Sequence, residues 1–313
     1  MDHASVNGAT RDSDTPTLEE GLDGSASQDT PKDRPSITVL VGPDPGLLVG
    51  LSDGEVTCGR SQRASCRLQG EGVGLLHARF FEQSGQYWVE DLGTGTGTRV
   101  RGRRITTPSR LRDGDHVQTG EVVLRFNLYN ALEEAAAIEL YENSIHDATS
   151  GAFNREHFER HLAAELTATA RTHCALALLM MDVDEFKRIN DDFGHVFGDA
   201  VLRVVTANVQ RLLRPRDLLA RFGGDELVVL CPETSLRNGL ILGERIRSSI
   251  EHLTLSAAGN DVHVSVSVGV ATNGEGDDEM LSLIGAADRA MYTAKCRGRN
   301  RVAGARSRAQ HGR

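Results

Sequence analysis

The sequence predicts a multidomain chain: an all-β sandwich followed by an α/β domain built on a mixed sheet. Three observations lead there. Over residues 36–126, short apolar runs alternate with Gly/Asp turns, the texture of many short strands. Over residues 148–302, helical and strand patterns alternate, as in helices layered on a sheet. Between them lies a stretch rich in Ala, Glu and Leu without Gly or Pro, which reads as a helix.

Taken in order, residues 1–35 are acidic and rich in Asp, Ser, Thr, Gly and Pro, too poor in apolar groups to bury a core, and are expected to be disordered. The sandwich is assigned to 36–127, with strands near 37–41, 78–81, 87–91 and 122–126 and turns at Asp53-Gly54, Ser84-Gly85 and Asp113-Gly114. A linker follows over 128–147. Its helix, 131–145, carries Ala131, Ala135, Ile138 and Ile145 on a three/four spacing that Glu142 interrupts, so it connects domains; a short coiled coil with a second chain is the alternative.

The second domain is assigned to 148–302. Residues 155–171 are helical. Residues 174–183 are almost continuously apolar, as in a strand buried on both faces. A helix over 199–213 places Val201, Val205, Val209 and Leu212 on one stripe and stops at Pro215. Runs at 218–222 and 227–231 form a hairpin, 236–252 a helix, 262–270 a strictly alternating strand with valine at every second position, and 280–296 the last helix. Residues 303–313 are expected to be a basic disordered tail.

With 313 residues and a formal net charge of −9, a basic nucleic-acid surface is excluded as the main role. No apolar run approaches the roughly 18 residues of a membrane helix, and the first residues lack the basic-then-apolar order expected of a signal peptide. Cys58, Cys66, Cys174, Cys231 and Cys296 are scattered without a CxxC pair, as expected of reduced thiols in a cytoplasmic protein with neither membrane nor nucleic-acid partners.

The chemistry concentrates at the hairpin tip, Arg221-Phe222-Gly223-Gly224-Asp225-Glu226-Leu227. Glycines let another group approach the backbone, and adjacent carboxylates suit a hard divalent cation. That combination suits a nucleoside triphosphate.

Five ordered motifs then resemble the GGDEF family, diguanylate cyclases that join two GTP into cyclic di-GMP. They are Asp147-Ala-Thr-Ser-Gly151-Ala-Phe-Asn154-Arg155, with Thr149 where leucine is usual; Asp182-Val-Asp-Glu-Phe186-Lys187-Arg-Ile-Asn190 through Gly194-His195; Gly198-Asp199; Gly223-Gly224-Asp225-Glu226, followed by Leu227 instead of phenylalanine; and Tyr292-Thr-Ala-Lys295 through Arg299-Asn300. The resemblance implies a metal site for Mg²⁺ or Mn²⁺ from Asp182, the Val183 carbonyl and Asp225, with Asp225 and Glu226 as the catalytic carboxylates; which of the two takes the proton stays open. It implies guanine reading by Asn190 and Asp199, although Asp199 could also be a helix N-cap before Val201. Lys187, Lys295 and Arg299 would contact phosphate, Gly223 and Gly224 would give the nucleotide room, and His195 would shape the substrate loop. Asp184, Asp191 and Asp192 carry no assigned chemistry. Arg214 and Asp217 match the family's RxxD inhibitory product site. One GTP per site implies a homodimer for activity. A catalytically silent cyclic di-GMP receptor is the alternative, against which the intact acidic residues argue, and a recruiting scaffold is a third reading.

Residues 36–126 resemble the forkhead-associated (FHA) family, sandwiches that read phosphothreonine, through Gly59-Arg60, His77, Asp91 to Thr98, Gly102 and Leu111 to Asp115. Arg60 is the retained phosphate contact. Gly74-Leu75-Leu76 replaces the Ser-Arg that precedes the histidine, Thr96 replaces an asparagine before Gly97, and Arg101 another before Gly102. The module reads as a protein-interaction or dimerisation domain, a weakened phosphothreonine reader or a spacer; Thr15 and Thr17 in the acidic tail are candidate phosphosites that could dock on it.

Overall fold

Pairing along eleven strands builds the N-terminal domain. They are β1 (Arg34–Val41), β2 (Leu48–Gly50), β3 (Glu55–Gly59), β4 (Cys66–Arg67), β5 (Ala78–Gln83), β6 (Gln86–Asp91), β7 (Thr98–Val100), β8 (Arg103–Arg104), β9 (Ser109–Arg110), β10 (His116–Thr119) and β11 (Val122–Tyr129). One sheet runs β2-β1-β11-β10-β7-β8, the other β4-β3-β5-β6-β9. Their inner faces close over Ile37, Val56, Phe80, Val89, Val117, Leu124 and Phe126. The computed structural model describes residues 33–51, 54–61, 63–257, 260–273 and 280–305. The expected disordered tail, with Thr15 and Thr17, falls on residues outside those described, except that Arg34 and Pro35 already pair with Tyr129 and Leu128 in β1.

The connecting helix α1 (Ala131–Ile145) is opened by a capping box in which Asn130 accepts from Glu133 N–H while Glu133 accepts from Asn130 N–H. The second domain follows with α2 (Arg155–Thr172), β12 (Leu176–Val183), α3 (Phe186–Phe193), α4 (His195–Leu212), β13 (Leu218–Gly223), β14 (Glu226–Pro232), α5 (Leu236–Glu251), β15 (Thr254–Ala257), β16 (Asn260–His263), β17 (Val266–Thr272), α6 (Met280–Cys296) and β18 (Val302–Gly304). Its sheet runs β13-β14-β12-β17-β18, with β17–β18 parallel and the other pairs antiparallel, a mixed sheet.

Central β12 shows why its sequence is apolar without a break. Ala177, Leu179, Met181 and Val183 point to one layer with Val201, Val205 and Val209 of α4 and Ile246 of α5. Leu176, Leu178 and Met180 point to the other with Phe158 and Leu162 of α2 and Met291 of α6. Each of these valine, leucine, isoleucine, methionine and phenylalanine side chains gives about 1.5–3 kcal/mol on burial.

Four expectations change. The helix expected from residue 199 begins at His195, because Gly194 (φ +82°) lets α3 turn directly into α4. Residues 186–193, carried as a motif, are themselves helical. The strand expected over 262–270 breaks after His263: β16 pairs back on β15, and only β17 enters the main sheet. The tail assigned from residue 303 begins too early, since β18 continues to Gly304 alongside Val270; residues 306–313 lie outside those described.

The sandwich rests against α1 and α2. Arg34 pairs with Glu134, Asp44 with His161, and Gln69 donates to Glu165 at 2.9 Å. Tyr141 packs beside Gly46.

Candidate active site

Asp182 lies at the end of β12, opposite Glu226 of β14 on one side and Ser267 of β17 on the other. Residues directly opposite in a ladder project to the same face, so the pairing brings Asp182 and Glu226 together. Asp225 stands at the adjoining tip, where its carbonyl accepts from Val183 N–H at 3.3 Å. The turn depends on Gly224, whose φ of +47° is left-handed backbone. Gly223 and Gly224 are exposed, with open space where a side chain would stand.

Two devices fix the site, the first of them at this tip. Arg221 donates through Nε and Nη2 to the Gly224 carbonyl at 2.9 and 2.7 Å, and through Nη1 to Asp147 Oδ1 at 3.0 Å. Asp147 also accepts from the Ser150 N–H and hydroxyl, both at 2.8 Å. Burial works to raise its carboxyl, but these donors outweigh it and hold the group below the usual carboxylate range. The second device is Lys295, in the last turn of α6, with Nζ 2.7 Å from Asp182 Oδ2. Helix α6 reaches that depth because Gly269 has no side chain: a Cβ there would stand 2.1 Å from the Ala287 carbonyl oxygen.

Charge and burial set the electrostatics. Burial pushes Asp182 up to about 6, aided by Asp225 and Glu226 and opposed by Lys295. Burial also raises Glu226, which lies near Asp225 and Asp288 as well as Lys295 and Arg155. The pocket offers oxygen donors with surplus negative charge, which fits a hard divalent cation. The three acidic side chains are not drawn to within 4.8 Å of one another; among the described residues that clustering is found at Asp44, His157 and His161.

Asp184 carries more than its sequence suggested. It is buried, accepting from the Ser265 and Ser267 hydroxyls at 2.7 and 2.6 Å and from Asn300 N–H at 3.0 Å. It thereby fastens the Lys295–Arg299 segment to the site. The signal available in advance was its place two residues after Asp182, beside the end of a buried strand.

The Asn190 Oδ1 is buried without a partner. It lies over Gly198 of α4, where a Cβ would come within 1.9 Å. Asp199, half-buried, follows on the same helix. The N-cap of α4 is Gly194, so the capping alternative for Asp199 falls away. Lys187, His195 and Arg299 are exposed around this end of the sheet.

Arg214 and Asp217 form a turn of their own. The Arg214 N–H donates to Asp217 Oδ2 at 2.9 Å, and the Asp217 N–H to the Arg214 carbonyl at 3.0 Å. They line a cleft of about 150 Å³ with Asn238 and Arg245.

In the sandwich, His77 is buried, accepts from Gly74 N–H at 2.9 Å and lies 3.3 Å from the Gly97 carbonyl, bracing two loops. Thr96 donates to the Gly72 carbonyl at 2.6 Å. Arg101 is paired with Asp115, which engages its guanidinium. Arg60 itself donates to the Val73 carbonyl and faces a cleft of about 490 Å³ that α2 closes from the far side with Glu165.

Comparison with known proteins agrees with this layout. The family model "Diguanylate cyclase, GGDEF domain" matches residues 144–301, and the FHA domain model matches 56–120. Diguanylate cyclase DgcP of Pseudomonas aeruginosa is 32% identical over 250 residues, 73% of this chain and 37% of its own length. Diguanylate cyclase DosC of Escherichia coli is 42% identical over 158 residues, 50% of this chain and 34% of its own. The chain thus spans little more than a third of these relatives' length. The coiled coil and GGDEF domain of DgcB from Caulobacter crescentus, solved with c-di-GMP, is 27% identical with a TM-score of 0.52, covering 55% of this chain and 91% of that one. Diguanylate cyclase SiaD, solved with its activator SiaC from Pseudomonas aeruginosa, is 33% identical with a TM-score of 0.52, covering 56% and 66%. Among the described residues no helix is long and apolar enough to cross a membrane.

Proposed function

This chain belongs to the GGDEF family of diguanylate cyclase domains, and on that footing we propose that it joins two GTP molecules into cyclic di-GMP with release of pyrophosphate. What supports this most is the meeting of Asp182 and Glu226 across one strand pair, beside the Gly223-Gly224 tip and Lys295. In this reading Asp182, the Val183 carbonyl and Asp225 are the residues that would hold Mg²⁺ or Mn²⁺. Such a cation, when bound, offsets triphosphate charge and favours in-line displacement at the α-phosphorus.

The chain's own groups do the rest. Glu226, with its proton affinity raised by burial, accepts the proton of the attacking 3′-hydroxyl. Lys187, Lys295 and Arg299 balance the phosphates, while Gly223 and Gly224 leave room for the nucleotide. Asp199 accepts from guanine N1–H and the 2-amino group, which adenine does not offer in that arrangement, and Asn190 supplies a second contact to the base. His195 shapes the loop at the start of α4. Each site takes one GTP, so two protomers must face each other, and homodimerisation controls the rate. Arg214 and Asp217 bind the product and feed back on turnover. The sandwich acts as a protein-interaction module, because Thr96 and Arg101 are engaged in the fold and only Arg60 remains of the phosphate-binding set.

Incubating the purified chain with GTP and Mg²⁺ tests this. Cyclic di-GMP and pyrophosphate should appear, and Asp225→Ala should abolish both. A folded, dimeric preparation that leaves GTP intact defeats the proposal.

A further inference from the structure

Away from the hairpin, three side chains from two domains converge. Asp44 lies in the loop between β1 and β2 of the sandwich; His157 and His161 lie one turn apart on α2 of the second domain. One ligand atom from each falls within 4.8 Å of the other two. His161 Nε2 is 2.7 Å from Asp44 Oδ1, and His157 Nδ1 is 3.7 Å from the same oxygen. Around a tetrahedral ion with bonds of about 2.0–2.1 Å, neighbouring ligand atoms stand about 3.3 Å apart. The two measured separations bracket that spacing.

A simple Asp44–His161 ion pair leaves part of this unexplained. His157 is only 3% exposed, and its Nδ1 is buried without any hydrogen-bond partner. An orphaned ring nitrogen in such a place costs stability unless something occupies its lone pair. The ring is fixed between Phe153, stacked at 4.3 Å, and His161 at 4.4 Å, so it cannot easily turn to find a partner. Arg160, the positive charge nearby, is paired with Glu156. Asp44 and His161 keep 21% and 24% of their side chains exposed, which leaves an approach from solvent and room for a water as fourth ligand.

We propose that Asp44, His157 and His161 bind a borderline first-row divalent cation, zinc being the best fit, which ties the sandwich to the first helix of the cyclase domain. Two imidazoles and a carboxylate suit that class, whereas Mg²⁺ and Ca²⁺ prefer oxygen alone. Two histidines at i and i+4 on one helix are a recurrent way to present such ligands. This site is separate from the oxygen-rich pocket at Asp182 and does not depend on the reading of that pocket.

The test is an equilibrium titration of the metal-stripped full chain with ZnCl₂ in excess Mg²⁺, which occupies any oxygen-only site. One equivalent of zinc should bind with sub-micromolar affinity and raise the unfolding temperature. Asp44→Asn and His161→Gln, both at partly exposed positions, should each weaken binding by at least about 100-fold and remove the thermal shift. His157→Gln should do the same where it folds. Hydrogen exchange should slow over residues 42–47 when zinc is added to the wild-type chain. Absence of saturable binding, or binding unchanged in both Asp44→Asn and His161→Gln, overturns the site. Binding without protection of 42–47 overturns the bridge between domains.

Discussion

Lys295 Nζ lies 2.7 Å from Asp182 Oδ2, a single ammonium set against a buried carboxylate that has two further acids for neighbours. Burial still prevails, and Asp182 titrates near 6 instead of its ordinary 3.8. A carboxyl raised in the folded state binds more protons there than in the unfolded chain between those values. Its contribution to stability is therefore full below 3.8 and is lost as pH rises through 6. The metal-stripped chain should lose thermal stability across that window, and Asp182→Asn should flatten the loss. Mg²⁺ affinity should climb over the same range, because the cation needs the ionised carboxylate. An identical slope in Asp182→Asn would place the titration on another group.

The contact between Asn190 and Gly198 gives a prediction for base recognition. An added methyl at Gly198 meets Asn190 Oδ1, the free end of a side chain, so the fold can yield at little cost while the amide is displaced. Gly198→Ala should keep its unfolding temperature within a few degrees but raise KM for GTP roughly tenfold, the worth of one hydrogen bond to the base. Selectivity for GTP over ATP should fall with it. Unchanged KM would show that Asn190 does not touch the nucleotide.

Arg221 joins the hairpin tip to Asp147 through three hydrogen bonds. Removing it frees the Gly224 carbonyl and loosens the backbone on which Asp225 and Glu226 stand. Arg221→Ala should cost about 1–3 kcal/mol in chemical denaturation and lower kcat more than it raises KM. Arg221→Lys should not rescue, because an ammonium cannot reproduce the planar fork. A rescue by lysine would reduce the role to charge alone.

Much of this architecture could be read from residue patterns. The boundaries of α1 and α6 followed from composition, and the two-sided burial of β12 from its unbroken apolar run. What escaped depended on partners far along the chain. Asp184 looked like a loop acid because its donors, Ser265, Ser267 and Asn300, lie more than 80 residues away. The valine alternation over 262–270 is shared by two ladders, and nothing local marks the break after His263. Asp44 and His161 are 117 positions apart. Arg101, which stands where the family keeps an asparagine, pairs with Asp115, 14 positions along the chain.

The proposed product feedback can be separated from folding because the Arg214-Pro-Arg-Asp217 turn uses main-chain and carboxylate groups only. Its two hydrogen bonds employ the Arg214 N–H and carbonyl, so the exposed guanidinium contributes nothing to the turn itself. Arg214→Ala should leave stability and initial turnover unchanged while raising the concentration of cyclic di-GMP needed for half-inhibition at least tenfold, the equivalent of about 1.4 kcal/mol. Asp217→Ala removes the acceptor of the turn and should destabilise the chain by about 1 kcal/mol as well as relieve inhibition. Turnover measured against added cyclic di-GMP decides the matter. Inhibition that is equally strong in wild type and Arg214→Ala would remove the feedback role from this turn.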